Sequence, residues 1–450
     1  MTVLPIRKPG YSVLCLLLAL AFISAAVFAP SAAGAEDPVS ADAVLDAGPT
    51  VNAKMKSVAV GRNVQYWTQT EHIKAVRMAD KLPDSFVPSE TNTVSAADSG
   101  VPIYIFFDNE NDAGIMYFYT EGSKVILNPD SSMLFAYNTA LADISGVADW
   151  DASRIVYMYG MLLCARSLPD ALALRNWDTS GVTDMRFLFN RATSLLFIDV
   201  SGWNTSKVLS MESTFAVGDS WMANGQLQEI IGLENLDVSN VRDMTCMFYG
   251  AGRMTHYNIG GWDVSKVESM NHMFCDNREL RYLDLSGWDV SSVRTVYCMF
   301  DDNVSLTTIG DVSRWNTASL IDAGGWLNGC RSFVGDDSGT LDLSGWDTRN
   351  LRCTGEMFFN TRMRTVDLSG WTFDSITNDR WEEAGSGYYY ETGNDSEKYQ
   401  GLGGMFKDAN QLRWACLSQE GLDSYNAAVE RGVNTLHMWH NTQTQGFMIK

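Results

Sequence analysis

Positive charge is scarce in this chain. Its 450 residues carry 33 Lys and Arg against 54 Asp and Glu, and setting aside a leader that holds Arg7 and Lys8 leaves 31 against 54, or −23. That balance excludes a nucleic-acid groove, which needs clustered cations to displace counterions, and implies a soluble, self-repelling surface. Histidine is rarer still, at 5 residues, and no Gly-x-Ser-x-Gly, His-Glu-x-x-His, phosphate-loop or dinucleotide fingerprint occurs. The sequence therefore offers no catalytic constellation and no cofactor site. Cys-x-x-Cys is also absent. Eight cysteines fall to seven beyond the leader, an odd number, and Cys246 and Cys298 fall two repeats apart, about 10 Å at ordinary strand spacing, too far for a disulfide. They read as small buried hydrophobes, and free thiols in an exported protein suggest a reducing habitat. Beyond the leader no run reaches the ~18 to 20 apolar residues that span a bilayer.

Residues 1–35 have the order of a secretory leader: Arg7 and Lys8, an apolar run from Tyr11 to Phe28, then Ala33-Gly34-Ala35 before Glu36. A secreted or cell-surface location follows. The region 36–130 is expected to hold a helix from Glu71 to Lys81. A β-hairpin is expected from Val101–Phe107 and Ile115–Tyr119 around the turn at 108–114, with a further strand at Lys124–Leu127.

What the chain has in abundance is repetition. Leu283-Asp284-Leu285-Ser286-Gly287-Trp288-Asp289-Val290-Ser291-Ser292-Val293, followed by Met299-Phe300 and Leu306, returns about every 26 residues. Its origins are Trp150, Trp177, Trp203, Leu236, Trp262, Trp288, Trp315, Trp346 and Trp371, so nine units are visible. Each unit reads as a short strand whose Asp faces water, a Ser-Gly break, an inward Trp, and a corner where Asp-Val-Ser offers oxygens to backbone N–H groups. Trp, Met and Phe recur in register because every coil must fill the same interior volume. The expected architecture is a mainly β repeat solenoid over 131–415, with the hairpin capping its N-terminal end. Over 416–450 an amphipathic helix from Ser418 to Arg431 caps the other end.

These units resemble the repeats of the BspA-like bacterial surface proteins, a branch of the leucine-rich-repeat group, and Leu127-Asn128-Pro129-Asp130-Ser131-Ser132 resembles that family's entry into its array. The resemblance covers about residues 100–415. It implies a right-handed leucine-rich-repeat-like array and an exported, adhesin-like protein that binds extracellular proteins or cell-surface macromolecules. A lectin-like module on the same scaffold is the alternative.

Two further features bear on ligands. The Asp columns suit either corner capping or a calcium ladder, but one carboxylate per coil falls short of the six to eight oxygens Ca²⁺ takes, so no metal site is assigned. His437 and His440 lack ligand companions and fit a polar tail. Interruptions of the repeat are more informative, since insertions in such arrays map to loops on the binding side. The longest, about Thr377 to Gly401, places Trp381, Tyr388, Tyr389, Tyr390 and Tyr399 among carboxylates, and these five are the candidate partner-binding residues. The same loop could instead be a lid over the array.

Overall fold

The computed structural model describes residues 42–219, 225–378, 401–435, 438 and 447–450. The expected leader lies outside them. The architecture is mostly β with few helices, and among the described residues no sheet closes into a barrel. No helix among them is long and apolar enough to cross a membrane.

The N-terminal region is built on two small sheets and one helix. Strand β1 (Ala43–Val44) pairs in parallel with β5 (Val125–Ile126), and β2 (Ala75–Met78) lies parallel to β4 (Ile115–Thr120), which forms the expected antiparallel hairpin with β3 (Ile103–Asp108). The expected helix at 71–81 is thus a strand: Ile73, Ala75 and Val76 are buried, and pairing with β4 overrides a pattern that suited either period. A helix forms instead at Gly48–Val60, opened by Pro49 and closed by Gly61 in the left-handed region at φ 73°. Its buried face combines Val51 and Met55 with Asn52 and Lys56. That mixture hides the helix from a search for apolar periodicity.

The helix stands where a coil before the first would stand. Inside the array every second backbone N–H of the Met-Phe shoulder donates to the next coil, as Phe187 N to Glu212 O (2.9 Å) and Phe189 N to Thr214 O (3.0 Å). The first coil has no predecessor. Its Met133 carbonyl accepts from Asn52 Nδ2 at 2.6 Å, Ala136 O accepts from Lys56 Nζ at 2.7 Å, and Tyr137 O accepts from Thr70 N at 3.0 Å. Side-chain donors of the helix, Lys56 at 2.7 Å and Asn52 at 3.1 Å, thereby serve Ala136 O in place of a preceding coil, while Met133 O also accepts from Ala136 N at 3.1 Å.

From Asp130 onward the repeats lie on one another in parallel. Single bridges join Asp130, Tyr157, Asp184, Ser210, Asp243, Ser269, Thr295, Asp322 and Cys353 in one unbroken ladder. The short strands make two further parallel sheets, one of β6 (Phe197–Asp199) with β7 (Glu229–Ile231) and another that starts with β8 (Thr340–Asp342) and β9 (Thr365–Asp367). The second of these sheets ends on β10 (Trp414–Leu417) and β11 (Met448–Ile449). The Met-Phe shoulder is a run of tight turns, with left-handed residues ten and fourteen positions after most origins: Phe187 and Arg191, His272 and Asp276, Cys298 and Asp302, Gly325 and Gly329.

The core follows the sequence register. Phe189, Phe215, Phe248, Phe274 and Phe300 stack with centroids 5.4–6.0 Å apart. Where Leu327 replaces the phenylalanine, Trp326 takes the preceding methionine place and lies against Phe300 and Trp346, so the volume is conserved. Each origin indole donates to the carbonyl three residues before the previous origin, from Trp177 to Val147 (3.1 Å) to Trp371 to Leu343 (3.0 Å). Corner aspartates act as expected: Asp178, Asp237, Asp263 and Asp289 each accept from the N–H two residues on, at 2.9–3.1 Å. The strand aspartates divide. Asp284 and Asp342 are exposed, whereas Asp199 and Asp367 are buried, contrary to expectation, because Arg175 reaches Asp199 (3.3 Å) and Lys450 of the tail reaches Asp367.

The cysteines at 164, 246, 275, 298, 330, 353 and 416 are all buried. The C-terminal helix spans Gln419–Glu430, and Ser418 Oγ accepts from Gly421 N at 3.1 Å as its N-cap.

Candidate functional site

Trp381, Tyr388, Tyr389, Tyr390 and Tyr399 lie outside the described residues, as do His437 and His440. Among the described residues no group of three or more His, Cys, Asp or Glu is arranged to hold a metal ion. A groove of ≈ 810 Å³ runs between the N-terminal helix and the Glu90–Ser95 segment, but Lys54 at its wall is already bonded to Thr93 O at 2.8 Å.

The outward side of the shoulder offers more chemistry. Its side chains come from the positions seven, nine, ten, thirteen and fourteen residues after each origin, which flank the Met-Phe core pair and do not repeat in kind. Tight turns hold them there: each coil's backbone is fixed by one bond within the turn and one to the next coil, as Leu188 N to Met185 O and Arg191 N to Ala216 O. The face is consequently a rigid grid of variable side chains on an invariant backbone.

Its N-terminal part is aromatic. Tyr66, Tyr137 and Tyr159 pack on Met133, Leu163 and Ala136; Trp67 meets Tyr66 edge-on at 4.8 Å, and Tyr159 meets Phe187 at 5.3 Å. Tyr157, next to this cluster in the bridge ladder, is 48 % exposed. Beneath it Lys56 is fully buried, and desolvation pulls its ammonium down to about 7.

One coil further the face turns acidic. Arg186 lies 5.3 Å over the Tyr159 ring and makes a two-pronged ion pair with Asp184, the closest contact at 2.6 Å. Directly above, at the equivalent ladder positions, stand Glu212 and Asp243. Desolvation, aided by the charges of Asp243 and Asp184, pushes the Glu212 carboxyl up to about 8. Further along, Asp276 is buried with Arg278 at 3.0 Å and Tyr249 Oη at 3.3 Å, and burial raises it to about 6. Asp301, beside Asp302, Asp276 and Glu356, is held well above the carboxylate range by desolvation and those neighbours. The cations of this face are engaged: Arg166 and Arg191 both reach Asp219, at 3.0 and 3.6 Å.

None of these residues stood out in the sequence, because they occupy the columns where the repeat is silent. The signal was present in negative form: positions seven, nine, ten, thirteen and fourteen after each origin change identity from coil to coil while the Met and Phe columns between them recur.

The comparisons bear on the array itself. No curated protein matches the chain. The family model described as "Mycoplasma protein of unknown function, DUF285" matches residues 130–230, 219–340 and 310–382, three overlapping segments that agree with the repeat. Together they run from 130 to 382, more than half of the 450 residues, and the chain belongs to that family of repeat proteins.

Proposed function

We propose that this is an exported bacterial protein, secreted or held at the cell surface, that binds other macromolecules through the outward face of its shoulder in the manner of an adhesin. The array is read as a right-handed, leucine-rich-repeat-like solenoid of about nine coils, akin to the BspA-like surface proteins. The carrying observation is the run of Tyr157, Tyr159 and Phe187 into Asp184, Glu212 and Asp243 on a backbone grid: large rings and acids, of which Asp184 already holds Arg186, in the columns free of core duty. Rings supply contact area at small entropic cost, and a fixed backbone keeps that surface pre-organised. The leader-like segment at 1–35 supports export, and the absence of any catalytic motif supports a binding role over an enzymatic one. The Tyr-rich insertion is a second candidate contact.

A glycan-binding reading draws on one specific observation. Tyr282, 55 % exposed, stacks on His256 at 6.2 Å on the strand side of the array, a flat platform of the kind sugars stack on. Pull-down of surface proteins by the secreted mature chain, set beside a glycan array, tests both readings. Captured proteins lost with Tyr157→Ala and Tyr159→Ala support the first; glycan signals lost with Tyr282→Ala support the second. No retained partner in either format overturns both. Deleting 378–400 separates the insertion's contribution, since binding lost with melting unchanged marks it as a contact and a collapsed melting temperature marks it as a lid.

A further inference from the structure

The shoulder face carries its own example of how it holds a cation. Arg186 is seated between the Asp184 carboxylate, which it meets with Nε and Nη2, and the Tyr159 ring. That is the arrangement in which a guanidinium binds best: a bidentate carboxylate on one side and an aromatic face on the other. The neighbouring coils repeat the carboxylate half of this seat, and the cation nearest to it is Arg186, one coil below Glu212 and already bound to Asp184. Asp243 occupies the Asp184 column two coils on, joined through Ser210 by parallel bridges. Glu212 occupies the Arg186 column one coil on, where Phe187 N bonds its carbonyl. Among the described residues no Lys or Arg makes an ion pair with Glu212 or Asp243; Arg242, next in sequence to Asp243, turns outward to Glu268 at 2.7 Å. Phe187, whose N–H bonds Glu212 O, adjoins this seat on the N-terminal side, and Tyr159 meets Phe187 edge-on at 5.3 Å one coil further down.

We propose that this stretch of the shoulder face docks an extended cationic polypeptide, seating an Arg or Lys side chain between Glu212 and Asp243 and an apolar neighbour against Tyr159 and Phe187. The inference rests on the macromolecule-binding reading above and names the partner's chemistry. Charge complementarity selects the occupant. The chain is strongly acidic overall, so a basic segment is drawn to it at long range. The local cations are already paired, and two half-buried carboxylates side by side are relieved only by a proton or a positive group. Burial and the Asp243 charge already keep the Glu212 carboxyl high, as expected of a site whose counter-charge arrives with the ligand. Coils related by one strand spacing, about 4.8 Å, also match the rise of every second residue along an extended chain poorly, at ~6.6 Å. The segment therefore crosses the coils obliquely, and only one or two side chains are seated.

A fluorescein-labelled octapeptide of alternating Arg and Leu, with its Glu-Leu and Arg-Gly counterparts, probes this by anisotropy on the mature full-length chain. Wild type is expected to bind Arg-Leu at least tenfold more tightly than Arg-Gly and to ignore Glu-Leu. Glu212→Gln combined with Asp243→Asn should weaken Arg-Leu at least tenfold, and Tyr159→Ala at least threefold, with melting temperatures checked for each. The control pair Glu234→Gln and Glu430→Gln removes the same charge from exposed positions elsewhere and should change binding less than twofold. Equal losses in both charge-matched pairs would reduce the effect to bulk attraction and overturn the proposal, as would no binding of Arg-Leu. If the peptide fails while the surface-protein pull-down succeeds, the partner class falls and the scaffold reading stands. If both fail, both fall.

Discussion

In the array a residue's place follows from its distance to the nearest tryptophan, whereas in the N-terminal region it follows from which carbonyls the first coil leaves open. Both regions bury polar groups. The array buries them in register, as indole N–H groups and asparagines that bond a neighbouring coil; Asn277 Nδ2, for instance, donates to Phe248 O and Phe274 O at 2.8 Å. The cap buries Asn52 and Lys56 once, at a place fixed by the end of the stack. A periodic structure thus states its rules many times, and its terminus states its rule a single time.

The sharpest way to break this contrast is to remove a register residue. Trp288→Ala deletes a buried indole and its bond to Ile259 O and is expected to cost about 3–5 kcal/mol, measured by denaturant unfolding. Trp67→Ala, at a partly exposed ring outside the register, should stay within about 0.5 kcal/mol. Equal losses would show that register carries no special weight.

Asn52→Ala probes the end of the stack. It removes one of the donors of Met133 O and one of those of Ala136 O and should cost about 1 kcal/mol; hydrogen exchange should show the first coil loosening while coils beyond Trp262 keep their protection. Uniform loosening would mean that the helix does not act as a local cap. Gly329→Ala tests the turn geometry, since the residue sits at φ 71° and a Cβ there would meet Asp302 Oδ1 at 2.4 Å and its Cα at 3.2 Å. A loss of about 1–3 kcal/mol is expected. Ser418→Ala, at the other end, should cost about 1 kcal/mol.

Acidity separates the two regions by sign. Glu212 and Asp276, raised to about 8 and about 6 in the folded array, bind more protons folded than unfolded. Their stabilising contribution is full below their unfolded values near 4 and is lost as pH rises through 6 and 8. Lys56, lowered to about 7, does the reverse: the unfolded chain holds the extra proton between about 7 and 10.5, so stability rises with pH across that window. Melting temperatures should therefore fall from pH 5 to 7, before Lys56 begins to offset the acids, and Glu212→Gln should flatten that limb. Lys56→Met should flatten the limb above pH 7. A wild-type profile indifferent to pH between 5 and 7 contradicts the buried-acid assignment.

The repeat, its inward Trp, Met and Phe, the hairpin, the corner aspartates and the C-terminal helix were legible because each rests on local pattern. Ser418, Leu422 and Gly432 mark the last helix by themselves. The N-terminal helix was not legible, since Asn52 and Lys56 are apolar-face residues only in the presence of Met133 O and Ala136 O. Nor was the strand at 75–78, whose partner lies about 40 residues away in sequence. The shoulder face was invisible for a different reason: a search for recurrence discards the columns that vary, and recognition needs variation.

One consequence of the bonding direction concerns ancestry. Shoulder N–H groups donate toward the following coil and indoles toward the preceding one, so every interior unit presents the same donors and acceptors above and below. Recombination between neighbouring copies can then lengthen or shorten the gene by a whole unit without creating a new kind of junction. The two ends, each written once, are the parts that such copying cannot replace.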